Sequence, residues 1–253
     1  MTVFDQFKSA IGLEKKTNVV PPIEQTSKAG HGRINLLKEK VKISLEKNNL
    51  TGVKAKVAVV LDKSASMKGL YNDGVVQETI DRLVAVASKM DDNGELEVWV
   101  FDNFPTRLPA ATEHNCERYI KDHILGRMPI QYGTSYAPIM KDVIKKYSKE
   151  EPDSSIPVYV LFVTDGENDD HESTERVIAD ASRFPIFWQY IGIGDEKFKF
   201  LKKLDEMDGR IIDNANFFQL NDLRKISDEE LYDRMLAEFP EWIKLAKKEN
   251  ILR

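Results

Sequence analysis

The sequence predicts an α/β fold in which a doubly wound, mostly parallel central sheet is flanked by helices. The main observation is that apolar runs of strand length alternate with segments of helical periodicity, which is typical of βαβ units. The chain has 253 residues, of which 42% are apolar, and this is enough for a substantial core. A short run at residues 106–110, TRLPA, predicts one antiparallel edge strand.

Residues 1–32 are predicted to precede the folded domain as an amphipathic segment and a linker. Apolar residues near the start recur at helical spacing beside lysines, which favours a small docking or membrane-surface helix, or a frayed helix that covers part of the domain. These residues are Phe4, Phe7 and Ile11. Residues 17–32 are rich in Pro, Gly and polar residues and lack periodicity, so they are typical of a linker. The domain is therefore predicted to cover residues 33–253, with extra helices at both ends.

The predicted elements of the domain follow one another in a regular order. A helix from Arg33 to Asn49 carries apolar residues three and four positions apart. Strands are predicted for the runs KVAVVLD, ELEVWVFD, PVYVLFVTD, IFWQYIGIG and RIIDNANFF. The helices between them are predicted at residues 74–90, 136–148, 172–182 and 198–207. An apolar stripe near the C-terminus predicts two more helices, broken or kinked at Pro240.

Charge and composition favour a cytoplasmic protein that does not bind nucleic acid. The net charge is −5, and an acidic chain argues against nucleic acid as the main partner. Cys116 is the single cysteine, which suits a reducing compartment and leaves no intrachain disulfide. No stretch approaches the roughly 18 apolar residues of a membrane span, and the N-terminus lacks the features of a secretory signal. We therefore expect no stable membrane insertion.

Oxygen-bearing residues end three of the predicted strands and suggest a binding site. The first strand runs into Asp62, Ser64 and Ser66. The second ends in Asp102, and the fourth ends in Thr164 and Asp165. Ligands of open α/β sheets bind outside the carboxyl ends of the strands. This arrangement suggests a hydroxyl nucleophile, a phosphate cradle or a cation site.

A hydroxyl nucleophile and a phosphate cradle each require further residues that the sequence does not place near the first strand. The serines have no G-x-S-x-G context and no base placed by a motif. An aspartyl phosphotransferase would need a second carboxylate two residues after Asp62, where Ser64 stands. No glycine-rich phosphate-binding pattern follows the first strand. These absences favour the cation site.

A cation site accounts for the residue types better. Carboxylates and hydroxyls are hard oxygen ligands that suit Mg²⁺, Mn²⁺ or Ca²⁺ rather than Zn²⁺, and an octahedral ion needs about six of them. A further ligand is predicted in the loop GTSYAP, where Thr134 follows a glycine, although Thr134 as a helix cap with Ser135 as the ligand is the alternative. The predicted metal ligands are Asp62, Ser64, Ser66, Thr134 and Asp165. Asp102 either borders the site or belongs to a turn before Pro105, and it is left out of the ligand set. Asp169 or Asp170 is predicted to cap a helix, and the alternative is that the acidic run at residues 167–172 gathers a second cation or restricts partners.

These residues resemble the metal-ion-dependent adhesion site of von Willebrand factor A (vWA) domains. The resemblance covers the D-x-S-x-S motif, the threonine after Gly133 and the later T-D-G, over about residues 33–245. More narrowly, GTSYAP, TDGEND and EFPEWIKLA resemble the cytoplasmic bacterial branch linked to tellurium resistance and stress response. Ala65 departs from the glycine that many members carry between the serines, but it removes no ligand.

The resemblance implies a Rossmann-like vWA fold and a protein-binding function. In such domains the two serines and the threonine contact the ion through hydroxyls, and the two aspartates often act through water. The ion then keeps most of its charge, and an Asp or Glu carboxylate from a partner protein completes its shell. The sequence thus predicts a non-enzymatic, cation-dependent binding module. The alternatives are a metal-dependent hydrolase or phosphatase that uses the same ion, and a metal-independent scaffold.

Overall fold

The computed structural model describes residues 23–130 and 133–253, with side chains from residue 32 onward. The predicted amphipathic segment around Phe4, Phe7 and Ile11 lies outside the described residues. The strands are β1 (Lys56–Asp62), β2 (Leu96–Phe101), β3 (Pro105–Ala111), β4 (Val158–Thr164), β5 (Ile186–Ile193) and β6 (Ala215–Leu220). The helices are α1 (Ile23–Lys47), α2 (Lys68–Asn72), α3 (Val75–Met90), α4 (Tyr119–His123), α5 (Tyr136–Lys145), α6 (His171–Ala181), α7 (Lys199–Glu206), α8 (Asp228–Leu236) and α9 (Phe239–Lys248).

The six strands form one sheet in the order β3-β2-β1-β4-β5-β6. Every neighbouring pair is parallel except β2 and β3, so β3 is the predicted antiparallel edge strand. The chain moves outward in one direction from β1 to β3 and in the other from β4 to β6. The order therefore reverses between β1 and β4, which is the place where open α/β sheets bind their ligands.

Two hydrophobic cores lie on opposite faces of this sheet. Alternate residues of β1 point to opposite faces, as the pleat of a strand requires. Val59 belongs to the core formed with α1, α3, α8 and α9, and Val60 belongs to the core formed with α5, α6 and α7. The predicted α/β class with helices on both faces is confirmed.

The N-terminal helix begins earlier than the sequence predicts. Its predicted apolar face is buried, with Ile34, Leu37, Val41 and Leu45 in the core. The helix, however, begins at Ile23, so the linker prediction is wrong for residues 23–32. A glycine inside a helix costs about 1 kcal/mol, which is tolerated when packing holds the rest of the helix in place.

The last strand differs from its sequence prediction, whereas the C-terminal helices agree with theirs. The strand predicted at residues 210–218 begins only at Ala215. Asn214 is fully buried there: its side chain donates to the carbonyl of Ile178, and its own carbonyl accepts from the Trp188 N–H of β5. Pro240 stands at the start of α9 and separates it from α8, as predicted. None of the helices within the described ranges has both the length and the apolar content needed to cross a bilayer.

Candidate metal centre

The candidate site lies at the carboxyl ends of the two central strands. β1 and β4 pair in parallel with Leu61 opposite Val163, so the residues that follow them emerge side by side. Asp62 and Thr164 are both completely buried. The two predicted motifs are therefore brought together by the reversal of strand order.

Both carboxylate oxygens of Asp62 accept hydrogen bonds. The backbone N–H of Ser64 donates to Oδ1 at 2.7 Å, and the hydroxyl of Thr164 donates to Oδ2 at 2.6 Å. The hydroxyl of Tyr71 donates to the Asp62 backbone carbonyl at 2.9 Å. These contacts fix the turn after β1 and connect it to the end of β4.

The two serines extend this arrangement to Asp165. Ser64 Oγ and Ser66 Oγ lie 3.0 Å apart, and the Ser66 hydroxyl donates to Asp165 Oδ1 at 2.8 Å. Four of the five predicted ligands are thus joined by direct contacts over a sequence distance of about one hundred residues. We refer to Asp62, Ser64, Ser66 and Asp165 as the strand cluster.

Burial raises the pKa values of both carboxyl groups in the strand cluster. For Asp62, burial raises the pKa to about 6, although hydrogen bonds from Thr164 and Ser64 offset part of the effect. Burial also raises the pKa of Asp165, and the hydrogen bond from Ser66 opposes it. Negative charge at this edge of the sheet is therefore costly unless a cation compensates it.

Thr134 is held in a different way, through its backbone. Its N–H donates to Asp169 Oδ2 at 3.3 Å, and its carbonyl accepts from the Asp169 N–H at 2.8 Å. The next residue, Ser135, is the N-cap of α5, and its hydroxyl donates to Asn103 Oδ1 at 3.2 Å. No hydrogen bond between Thr134 and the strand cluster occurs among the described residues. We refer to residues 133–135 as the threonine loop.

Gly133 is required by the conformation of the threonine loop. Its φ angle is +99°, in the region that favours glycine. A Cβ atom at this position would lie 2.3 Å from Nδ2 of Asn103, far inside van der Waals contact. The glycine therefore allows the loop to approach the turn that follows β2.

Tyr136 links the start of α5 to the strand cluster. Its hydroxyl donates to the Gly166 carbonyl at 2.7 Å and lies 3.1 Å from the Thr164 hydroxyl.

The N–H groups of Tyr136 and Ala137 donate to the two oxygens of Asp170 at 2.9 and 2.8 Å. Asp170 is the N-cap of α6 by position, but its carboxylate caps α5 instead. Asp170 is therefore a helix cap, as predicted, but the helix that it caps is α5.

Lys63 and Asp102 form a buried ion pair beside the site that sequence reasoning missed. The Lys63 ammonium donates to Asp102 Oδ2 and also contacts the Pro129 carbonyl at 3.4 Å. Burial alone would raise the pKa of Asp102, but the hydrogen bonds from Lys63 and the Phe104 N–H outweigh it and the pKa is lowered. A signal was present in the sequence, since a lysine stands inside the D-x-S-x-S motif and an aspartate ends the next strand.

The oxygen atoms at this edge have the chemistry of a hard divalent cation site. Within the described residues, no group of three His, Cys, Asp or Glu side chains is placed to hold a metal ion. The strand cluster contains two carboxylates, and its other side-chain oxygens are hydroxyls. Mg²⁺, Mn²⁺ and Ca²⁺ take such ligands, so a cation here would depend on hydroxyls for much of its shell.

The sheet order and the antiparallel edge strand are those of a vWA-type domain. A family model for vWA-TerF-like domains, described as "vWA found in TerF C terminus", matches residues 54–252. Because this match covers most of the chain, the chain belongs to the vWA-TerF-like family.

Individual relatives agree with this assignment. The uncharacterized protein YcbR of Bacillus subtilis (strain 168) is 46% identical over 222 residues, which are 87% of this chain and 90% of that protein. Copine-C of Dictyostelium discoideum is 24% identical over 222 residues, covering 75% of this chain and 41% of copine-C. Proximal thread matrix protein 1 of the mussel byssus superimposes with a TM-score of 0.55 at 15% identity, over 73% of this chain and 47% of that one. The last similarity supports the fold alone.

Proposed function

We propose that the chain is a divalent-cation-dependent protein-binding module. Its metal ligands are Asp62, Ser64, Ser66, Thr134 and Asp165, and its ion is Mg²⁺, with Mn²⁺ or Ca²⁺ as substitutes. An Asp or Glu carboxylate of a partner protein completes the shell of the ion. The observation that carries the proposal is the contact chain Asp62–Ser64–Ser66–Asp165 at the reversal point of the sheet.

The balance of charge supports recognition of an acidic partner. The buried Asp62 carboxylate and the half-buried Asp165 carboxylate both have raised pKa values, which favours the binding of a cation. Hydroxyl ligands add no negative charge, so the ion remains attractive to a further carboxylate. The ion would supply electrostatic attraction and a coordination position, and the residues of the strand cluster would orient it.

Metal binding is tested by isothermal titration of the full chain with MgCl₂ and MnCl₂. We expect Asp62→Asn to weaken binding at least tenfold, because it removes one charge from the buried end of the strand cluster. Asp208→Asn is the matched control, since this exposed aspartate follows α7 at the opposite edge of the sheet. Circular dichroism confirms that each variant is folded. Equal heats for wild type and Asp62→Asn would contradict the proposed site.

Partner binding is tested by affinity capture in Mg²⁺ and in EDTA. We expect a set of proteins that is retained in Mg²⁺, lost in EDTA and lost with Asp62→Asn as bait. An identical set in all three conditions would support the metal-independent scaffold instead. Turnover of a phosphate ester that requires Mg²⁺ and disappears in Asp62→Asn would support the metal-dependent hydrolase.

We further propose that the module acts in the bacterial cytoplasm, in a tellurium-resistance or stress-response system. The family relation to the TerF C terminus supports this placement. Deletion of the gene in its host, followed by complementation with wild type or Asp62→Asn, tests it. We expect wild type alone to restore tolerance to tellurite. Tolerance that does not change on deletion would count against this cellular role.

A further inference from the structure

Phe104 is a large apolar side chain that is exposed beside the candidate metal centre. It is 74% exposed, the highest value among the exposed large hydrophobic residues of the described part. The others are Leu36, Ile43 and Ile211. A single exposed apolar side chain is common on protein surfaces, so exposure alone assigns no role.

The position of Phe104 distinguishes it from the other three. It lies in the turn between β2 and β3, at the carboxyl end of β2. Leu36 and Ile43 lie on the outer side of α1, and Ile211 lies before β6, at the amino end of that strand. Phe104 is therefore the one member of this described set at the edge where the strand cluster lies.

The turn that carries Phe104 contacts both residues that flank Thr134. Asn103 packs against Gly133 and accepts a hydrogen bond from the Ser135 hydroxyl at 3.2 Å. The Ser135 N–H donates to the Asp102 carbonyl at 3.0 Å. The turn that carries Phe104 therefore lies next to the proposed threonine ligand.

The same turn is firmly held. The Phe104 N–H donates to Asp102 Oδ1 at 2.9 Å, and the Asp102 carboxylate is paired with the buried Lys63. Phe101 and Pro105 are opposite each other in the antiparallel pair, and proline fixes the backbone directly after Phe104. The backbone of this turn therefore needs little ordering on binding, and aromatic side chains are enriched at interface hot spots.

We propose that Phe104 forms an apolar contact of the partner-binding surface, and that the partner presents an apolar side chain next to its metal-binding carboxylate. This inference rests on the proposed function, because the carboxylate is what brings the partner to this edge. The partner segment is thus an acidic residue flanked by apolar residues, rather than a uniformly acidic stretch.

Two blocked tripeptides test the inference on the full chain loaded with Mg²⁺. They are acetyl-Leu-Asp-Leu-amide and acetyl-Ser-Asp-Ser-amide, each with a single carboxylate. Their binding at millimolar concentration is followed by ¹H–¹⁵N chemical shifts. We expect the leucine peptide to bind at least fivefold more tightly and to shift the amide signals of Asn103 and Ser135.

Phe104→Ser is expected to abolish the preference for leucine while Mg²⁺ affinity stays within twofold of wild type. Leu36→Ser, which removes an exposed apolar side chain elsewhere, should preserve the preference. Equal binding of both peptides to wild type, or a preference that survives in Phe104→Ser, would overturn the role of Phe104 and leave carboxylate recognition intact. Binding that persists in EDTA, or no binding of either peptide, would overturn the proposed function together with this inference.

Discussion

The strand cluster and the threonine loop are built by different kinds of contact. In the strand cluster, the side chains of Ser64, Ser66 and Asp165 contact one another in turn, and the Asp62 carboxylate accepts from the Ser64 backbone N–H. Asp62 and Ser64 are almost completely buried. In the threonine loop, Thr134 is placed by its backbone and by the neighbours on each side of it. The strand cluster is thus held by contacts among its own predicted ligands, whereas the threonine loop is held by contacts with residues that are not predicted ligands.

This difference predicts how substitutions in each part of the site affect metal binding. The strand cluster depends on the pairing of β1 with β4, which lies at the centre of the sheet. The threonine loop depends on side chains from two other segments, the turn that carries Asn103 and the run that carries Asp169 and Asp170. We expect substitutions around the loop to act on metal affinity through the position of Thr134, and substitutions in the cluster to act directly.

The largest expected effect comes from Lys63, which connects the two parts. Its ammonium pairs with Asp102, whose carbonyl receives the N–H of Ser135 in the threonine loop. Lys63→Met leaves a buried carboxylate without its partner, so we expect a loss of about 3 to 4 kcal/mol in the free energy of unfolding. Urea denaturation in EDTA measures this loss.

A second variant separates loss of the ion pair from loss of side-chain packing. Lys63→Met/Asp102→Asn removes both charges and should recover more than half of the free energy of unfolding that Lys63→Met loses. A loss below about 1 kcal/mol in the single variant would show that the pair is not an effective link between the two parts.

The next effect is the pH dependence of the metal-free strand cluster. Burial raises the pKa of Asp62 to about 6 in the folded chain, above its value in the unfolded chain. The folded state therefore binds more protons than the unfolded state between about pH 4 and 6, and this contribution to stability is lost as the pH rises through that window. Its full size is about 2 to 3 kcal/mol.

Urea denaturation of wild type and Asp62→Asn in EDTA isolates the contribution of Asp62. Because the asparagine does not titrate, the free energy of unfolding of the variant should rise relative to that of wild type as the pH is raised from 4 to 7.5. Mg²⁺ at pH 7.5 should stabilise wild type and leave the variant nearly unchanged. Parallel stability curves for the two proteins would contradict the buried charge at the strand cluster.

Asp170 tests the threonine loop from the side of α5. Its carboxylate accepts from the first two N–H groups of that helix. Asp170→Ala should therefore lower the free energy of unfolding by about 2 kcal/mol, as the loss of a charged cap does. It should also weaken Mg²⁺ binding, because α5 begins directly after the loop.

Asp169→Ala is the matched control for this substitution. Asp169 is exposed, and the hydrogen bond from the Thr134 N–H to its carboxylate is longer, at 3.3 Å. We expect a loss of less than about 0.5 kcal/mol on thermal or urea denaturation, as for other exposed polar contacts. Equal losses in the two variants would mean that Asp170 is not the cap of α5.

The same contrast explains which features the sequence predicts. Asp62, Ser64, Ser66 and Asp165 lie within a few residues of strand ends, so the strand pattern alone brings them to one edge. Confirmed features such as the antiparallel β3 and the break at Pro240 are equally local.

Features that depend on distant contacts escape the pattern. The pairing of Lys63 with Asp102 and the capping of α5 by Asp170 join segments that are about 35 to 40 residues apart. In the run at residues 210–218, apolar residues predict a strand, but buried Asn214 is bonded to α6 and the strand begins after it. Local periodicity carries no information about such long-range partners.

The smallest expected effect decides which hydroxyl of the threonine loop is the ligand. The Ser135 hydroxyl is bonded to Asn103, whereas no hydrogen bond of the Thr134 hydroxyl occurs among the described residues. We therefore expect Thr134→Ala to weaken Mg²⁺ binding about tenfold, which is about 1.4 kcal/mol, and Ser135→Ala to change it less than twofold. Titration calorimetry of the two variants, each with its stability checked in EDTA, measures the difference. The reverse order would move the ligand to Ser135 and would require the loop to turn its other side chain toward the strand cluster when the ion binds.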